Sequence, residues 1–123
     1  MNIIIDTHIF LWLMGDPKKV SKEHMKHIED LDNNIFLSSI SIAEIMIKKS
    51  IGHLKFEADI LEILKEMDIN ILEFDAKSAL LLGSLSLHHR DPFDRMIIAQ
   101  SIVNDHKIIT VDKKFSLYDC ELL

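Results

Sequence analysis

The sequence predicts an α/β fold in which a parallel sheet of four or five strands lies between two layers of helices. Two observations carry this. Short runs of β-branched and other apolar residues alternate along the chain with longer segments whose apolar residues recur at helical spacing. Parallel strands need crossover connections, and helices supply them on both faces of a sheet. No internal repeat, low-complexity segment or linker breaks the alternation, so one domain is expected over residues 1–123.

Asn2 to Ile5 reads as a buried first strand that stops abruptly at Asp6. Residues 7 to 14 are mostly apolar and suit a short helix, closed by the turn residues Gly15, Asp16 and Pro17. Ser21 can cap a second helix in which Met25, Ile28 and Leu31 form one apolar stripe, and Asp32, Asn33 and Asn34 close it. Ile35 to Ser38 is the second strand. A helix follows from Ser41, with Ile42, Ile45 and Met46 on one face, and ends at Gly52. Residues 57 to 67 carry Ile60, Leu61, Leu64 and Met67 at helical spacing, and Ile69 to Phe74 reads as a short third strand. Ala76 to Leu87 is helical again. Pro92 opens a helix running to about Asp105, Lys107 to Val111 is a fourth strand ending at Asp112, and Cys120 to Leu122 is a weak fifth.

Composition narrows the class. Apolar residues make up 48% and charged residues 28%, with only 3 Gly and 2 Pro, which excludes disordered and collagen-like chains. The longest uninterrupted apolar run, Ile9 to Met14, falls far short of the roughly 20 residues a membrane span needs. Asp6 and His8 stand where a signal peptide would be apolar, so the mature chain is expected to start at Met1. Cys120 is alone, which rules out an internal disulfide framework and suggests a cytoplasmic setting. The formal charge of −6 argues against holding nucleic acid through bulk electrostatics. Carboxylates gathered around divalent cations would answer that objection locally.

The acids fall where such a site is expected. In open α/β sheets, ligands bind beyond the carboxyl ends of the strands. Asp6 follows the first strand, Glu44 lies in the first turn after the second, Asp94 in the first turn after Pro92, and Asp112 follows the fourth strand. Each acid also has a local reading. Ser41 with Glu44 fits a capping box. Asp91, Pro92 and Asp94 match an N-cap, a first-turn proline and an acid favoured by the helix dipole. Four acids on one edge would repel one another, and divalent metal resolves that conflict. Oxygen-only ligands suit Mg²⁺, with Mn²⁺ as a substitute. Zinc is disfavoured because the histidines form no ligand motif, and His88 with His89 reads as a solvated or phosphate-contacting pair.

Four stretches, IIIDTHIFLWLM, SISIAEIMIKKSIGHL, HHRDPFDRMIIAQS and IITVDKKF, together resemble the PIN-domain nucleases, and among them the short VapC-like toxins. The resemblance spans nearly the whole chain, and the Asp-Pro-Phe-Asp-Arg block followed by Met-Ile-Ile-Ala-Gln is its most specific part. It implies a three-layer PIN-like fold, metal binding by Asp6, Glu44 and Asp94 with Asp112 completing an acidic quartet, and an endoribonuclease activity. It also implies a homodimer and a cognate antitoxin. Thr7 matches the hydroxyl residue that commonly follows the first acid, placed to orient a carboxylate or a bound water. Asp91 is open between the metal site and a helix cap. His8 fits the pattern or simply packs, and Arg95 is expected to pair with an acid. Phe10, Trp12 and Leu13 are read as core, with dimer or antitoxin contact as the alternative.

The expected mechanism is hydrolysis of RNA phosphodiesters by metal-activated water at Asp6, Glu44, Asp94 and Asp112. Thr7, Lys48 and Lys113 are the candidate substrate contacts, with Lys49, His53 and Lys114 as further phosphate-facing cations. The alternative from another class is a regulatory module whose acid pocket binds Mg²⁺ without nuclease activity. Response-regulator receivers are of that kind, but they pair acids after the first strand, where this chain has Thr7 and His8. A phosphatase acting on small esters would use similar metal chemistry.

Overall fold

Three consecutive isoleucines bury β1 (Asn2–Ile5) on both faces, and it sits inside the sheet with a parallel neighbour on each side. The computed structural model describes residues 1–123. After β1 come α1 (Thr7–Gly15), α2 (Lys22–Glu29), β2 (Asn34–Ser38), α3 (Ser39–Ser50), α4 (Ile60–Glu66) and β3 (Asn70–Leu72). α5 (Ala76–Leu81), α6 (Pro92–Asn104) and β4 (Lys107–Ile109) complete the order. All pairings are parallel and the strand order is β3-β2-β1-β4, which is the parallel α/β sheet expected.

Strand alternation sorts the core into two layers. Ile3 and Ile5 join Ile9 and Phe10 of α1, Ile45 of α3, and Ile60 and Leu64 of α4. Ile4 points to the other face and meets Ile97 and Ile98 of α6, Ile108, Phe115 and Tyr118. Both faces are therefore covered, as an all-parallel sheet requires. Register sets where the chain leaves the sheet: Ile5 lies beside Leu37 and Ile109, so Asp6 leaves β1 level with Ser38 and Thr110.

Several boundaries differ from expectation, each for a local reason. α2 stops at Glu29, and Leu31 is 95% exposed instead of extending the apolar stripe. α4 starts at Ile60 because Asp59 caps it, accepting from the N–H groups of Leu61 and Glu62. β3 covers only Asn70–Leu72, because Ser39 takes the N–H of Phe74 out of the ladder. α5 ends at Leu81, and turns centred on Gly83 and Ser84 replace the expected continuation to Leu87. β4 ends at Ile109, since Thr110 turns its side chain to Asp6. The weak fifth strand is a single parallel bridge between Ile108 and Leu122. No helix is long and apolar enough to cross a membrane.

Candidate metal centre

Asp6 is the first anchor. It caps α1, with one carboxylate oxygen accepting the Ile9 N–H at 2.8 Å and the other accepting the Thr110 hydroxyl at 2.5 Å. Thr110 Oγ1 in turn accepts the Asp112 N–H at 3.0 Å, so one side chain ties the acid after β1 to the acid after β4. Asp6 is 4% exposed. Burial pushes its pKa above the usual carboxylate range, with the charge of Asp112 adding to the rise, while the bonds from Thr110 and Ile9 pull the other way.

Glu44 is held differently from the capping box anticipated. Ser38, not Ser41, caps α3, accepting the Ile40 N–H, so Glu44 falls in the second turn of the helix. Its two oxygens face two donors, Thr7 Oγ1 at 2.8 Å and Lys48 Nζ at 2.8 Å. A hydroxyl has one proton, so Thr7 gives it to the carboxylate and accepts from Ser41 across 2.9 Å. Thr7 is buried, and its hydroxyl serves Glu44. Lys48 is pushed above the usual lysine range by its bond to Glu44, and the charges of Glu44, Asp91 and Asp94 act in the same direction. The i,i+4 spacing on α3 delivers this ammonium to the acids.

Asp94 shows how closely the acids gather. It sits in the first turn of α6, whose N-cap is Asp91, with Asp91 accepting the N–H groups of Phe93 and Asp94. Burial and then the negative charges of Asp91, Glu44, Asp6 and Asp112 raise its pKa to about 7. All the acids expected at the site therefore act on this one carboxyl. Asp112 caps the turn Lys113–Leu117, accepting from Lys114 N–H, and Lys113 is exposed beside it.

The expected solvated or phosphate-contacting pair divides at its solvation: His88 is exposed, whereas His89 is only 8% exposed. One ligand atom each from His89, Asp94 and Asp112 lie within 4.8 Å of one another. Its Nε2 is 3.5 Å from Asp94 Oδ2. Arg95 does not pair with an acid. It donates to the carbonyls of Ser86 at 2.8 Å and Leu85 at 3.3 Å, pinning the chain ahead of α6. Nothing in the sequence marks Ser41, His89 or Tyr118 for these contacts. The one signal for Thr110 was its place at a strand end two residues before an acid.

The donor set fits a divalent cation. Asp94 and Asp112 place carboxylate oxygens within 4.8 Å of each other. Asp6 and Glu44 lie outside that close group but act on Asp94 through their charge, and burial together with these charges makes ionising Asp94 costly without added positive charge. Lys48, Lys49 and His53 on and after α3, with Lys113 and Lys114 after β4, are the cations expected to face phosphate, and Lys48 is engaged by Glu44. An apolar recess of about 390 Å³, lined by Leu13, Met25, Ile28 and Ile69 among others, lies at the opposite end of the strands and contains none of these acids.

Comparison with known proteins agrees with this architecture. A chain of the VapBC2 complex from Rickettsia felis, solved bound to a DNA fragment from its promoter, superposes with a TM-score of 0.77 at 20% identity, covering 100% of this chain and 98% of that one. A chain of VapBC-1 from nontypeable Haemophilus influenzae gives 0.73 at 23% identity, covering 100% and 97%. A chain of DNA-bound VapBC from Salmonella typhimurium gives 0.72 at 14% identity, covering 100% and 97%. No curated protein matches the sequence significantly. These likenesses establish the shared fold. The PIN domain family model matches residues 3–119, and on that match the chain belongs to the PIN domain family.

Proposed function

We propose that this PIN domain is a metal-dependent endoribonuclease, the toxin of a VapC-like toxin–antitoxin pair, acting on RNA phosphodiesters with water as the nucleophile. The observation that carries the reading is the grouping at Asp94: Asp112 and His89 each place a ligand atom within 4.8 Å of it, and burial, then the charges of Asp91, Glu44, Asp6 and Asp112, raise its pKa to about 7. PIN domains are generally nucleases, which gives that grouping its chemical direction. Asp6, Glu44, Asp94 and Asp112 would hold Mg²⁺, with Mn²⁺ substituting. A divalent cation supplies hydroxide near neutral pH and neutralises charge on the phosphate and leaving oxygen.

The chain's own residues divide the remaining work. Thr110 and the Ile9 N–H hold the Asp6 carboxylate in one orientation, and Thr7 does the same for Glu44. Lys48 neutralises part of the acid charge before substrate arrives and stands ready to exchange its bond to Glu44 for a phosphate oxygen. Lys113, exposed next to Asp112, is a second phosphate contact on the same edge. An antitoxin partner is proposed because the similar solved structures are VapBC complexes. Homodimerisation and a cytoplasmic location belong to the same reading.

Cleavage of a mixed pool of end-labelled RNAs, with and without Mg²⁺ or Mn²⁺ and alongside Asp94→Asn, tests it. Metal-dependent cutting that leaves 5′-phosphate and 3′-hydroxyl ends, and that is absent from the folded variant, is expected. Products ending in 2′,3′-cyclic phosphate would overturn the mechanism, because they require the RNA 2′-hydroxyl as nucleophile.

A further inference from the structure

Tyr118 is buried, and donors crowd its hydroxyl oxygen. The backbone N–H of His88 reaches it at 3.2 Å and that of His89 at 3.3 Å, with an Arg95 N–H at 3.5 Å. A phenolic oxygen has at most two acceptor positions, and these three N–H groups already contend for them. The hydroxyl proton must then be donated onward. The acceptor within reach is His89 Nδ1, at 2.8 Å. A ring nitrogen that accepts carries no proton, so in the neutral imidazole the proton sits on Nε2. That atom has no hydrogen-bond partner, belongs to a side chain only 5% exposed, and lies 3.5 Å from Asp94 Oδ2.

We infer that Tyr118 fixes His89 as the Nε2–H tautomer, and that His89 is a positioning residue directing this N–H at Asp94 Oδ2, leaving the other carboxylate oxygen for a cation. The role in positioning a metal ligand rests on the metal-site reading of Asp94, whereas the tautomer does not. An N–H at this oxygen favours the ionised carboxylate, opposing the repulsion from Asp91, Glu44, Asp6 and Asp112. The close grouping of His89, Asp94 and Asp112 also suits direct nitrogen ligation of a metal. The proton count decides against that: a ligating Nε2 must be bare, Nδ1 would then carry the proton, and Tyr118 would have to accept a further N–H on an oxygen already filled.

The test begins with ¹⁵N-labelled full-length protein, free of metal, at about pH 8, where an ordinary imidazole is neutral. Long-range ¹H–¹⁵N correlation is expected to show His89 protonated at Nε2 and bare at Nδ1, with that preference weakened in Tyr118→Phe. An Nδ1–H tautomer in the wild type would overturn the inference. Mn²⁺ is then titrated in, and pulsed EPR is expected to show no directly bound nitrogen. A strong nitrogen coupling that disappears in His89→Gln would make His89 a ligand and end the positioning role. By calorimetry, His89→Leu is expected to weaken Mn²⁺ binding about 10–100-fold, while His89→Gln, which keeps an N–H donor, recovers most of it. Equal losses in two folded variants would also overturn the role. If the wild type binds no Mn²⁺, the metal-site reading and the role of His89 within it both fail, while the NMR result for the tautomer stands.

Discussion

Asp94 is where the site and the stability of the fold oppose each other. Its carboxyl titrates near 7 in the folded protein against an ordinary 3.8, with burial and then neighbouring acids as the cause. Between those values the folded state holds a proton that the unfolded state has released, so metal-free stability falls as pH rises through this window. Asp6, raised in the same direction, adds to the slope. Asp94→Asn removes the charge and keeps the shape. It is therefore expected to abolish cleavage while raising the metal-free melting temperature at pH 8, with little difference from wild type at pH 4, as thermal melts at the two pH values would show. A variant less stable than wild type at pH 8 would mean that Asp94 is structural. Thr7 makes the opposite prediction. Thr7→Val strips Glu44 of a buried donor and is expected to cost about 1–3 kcal/mol of stability along with most of the cleavage, whereas Thr7→Ser retains both. Denaturant titrations and cleavage rates of the pair would check this. At this scale Asp6, Asp94 and Asp112 were legible because each follows a strand or lies in the first turn of a helix, whereas Glu44 sits a turn deeper in α3 than its place after β2 suggests. Thr110, His89 and Tyr118 were not, because their roles depend on partners 104, 5 and 29 positions away that only the folded edge brings together.

Elements were legible where sequence periodicity was strong and blurred where side chains intervened. β1, β2 and α6 lie almost where their apolar runs put them. Ser41 looks like a cap and so places the start of α3 too late, yet Ser38 caps the helix and frees Ser41 to face Thr7. The end of α5 gave no apolar signal, since Leu82, Leu85 and Leu87 continue a leucine-rich run through a segment that turns at Gly83. The N-terminus of α6 holds the remaining ambiguity, and the structure narrows it: Asp91 is exposed, caps the helix through two N–H groups, and raises the pKa of Asp94. Asp91→Ala is accordingly expected to cost about 1 kcal/mol of stability. Asp91→Asn keeps a capping oxygen and should preserve stability, lower the Asp94 pKa and leave cleavage within a few-fold of wild type. Measured rates and melts on the two variants separate these effects. Loss of cleavage in a folded Asp91→Asn protein would move Asp91 into the metal site.

For the whole molecule, net charge and fold are reconciled by linkage. A chain carrying −6 that concentrates several of its acids on one edge of a parallel sheet is under self-repulsion at that edge. The fold tolerates this because the cost is confined to the carboxyl ends of the strands, while Ile3, Ile4 and Ile5 and the helices on both faces provide the binding energy of the core. Anything that binds the folded edge and not the unfolded chain must then stabilise the whole protein. Mg²⁺ at about a hundred times its dissociation constant should add about 2.7 kcal/mol, which for a domain of this size is a rise in melting temperature on the order of 10 °C. The rise should be larger at pH 8 than at pH 5, since protons and cations compete for the same carboxylates and Asp94 releases its proton only near 7. NaCl at matched ionic strength should not reproduce it, because screening acts on all surface charges and not on one edge. In Asp6→Asn and Asp94→Asn the Mg²⁺-dependent rise should largely disappear while the metal-free melts remain cooperative. Melting curves across this series, with EDTA as the baseline, would show whether the acids act as one cation site. A Mg²⁺ effect that survives in both variants would place the ion elsewhere on the molecule and remove the physical basis for a metal-dependent reaction at this edge.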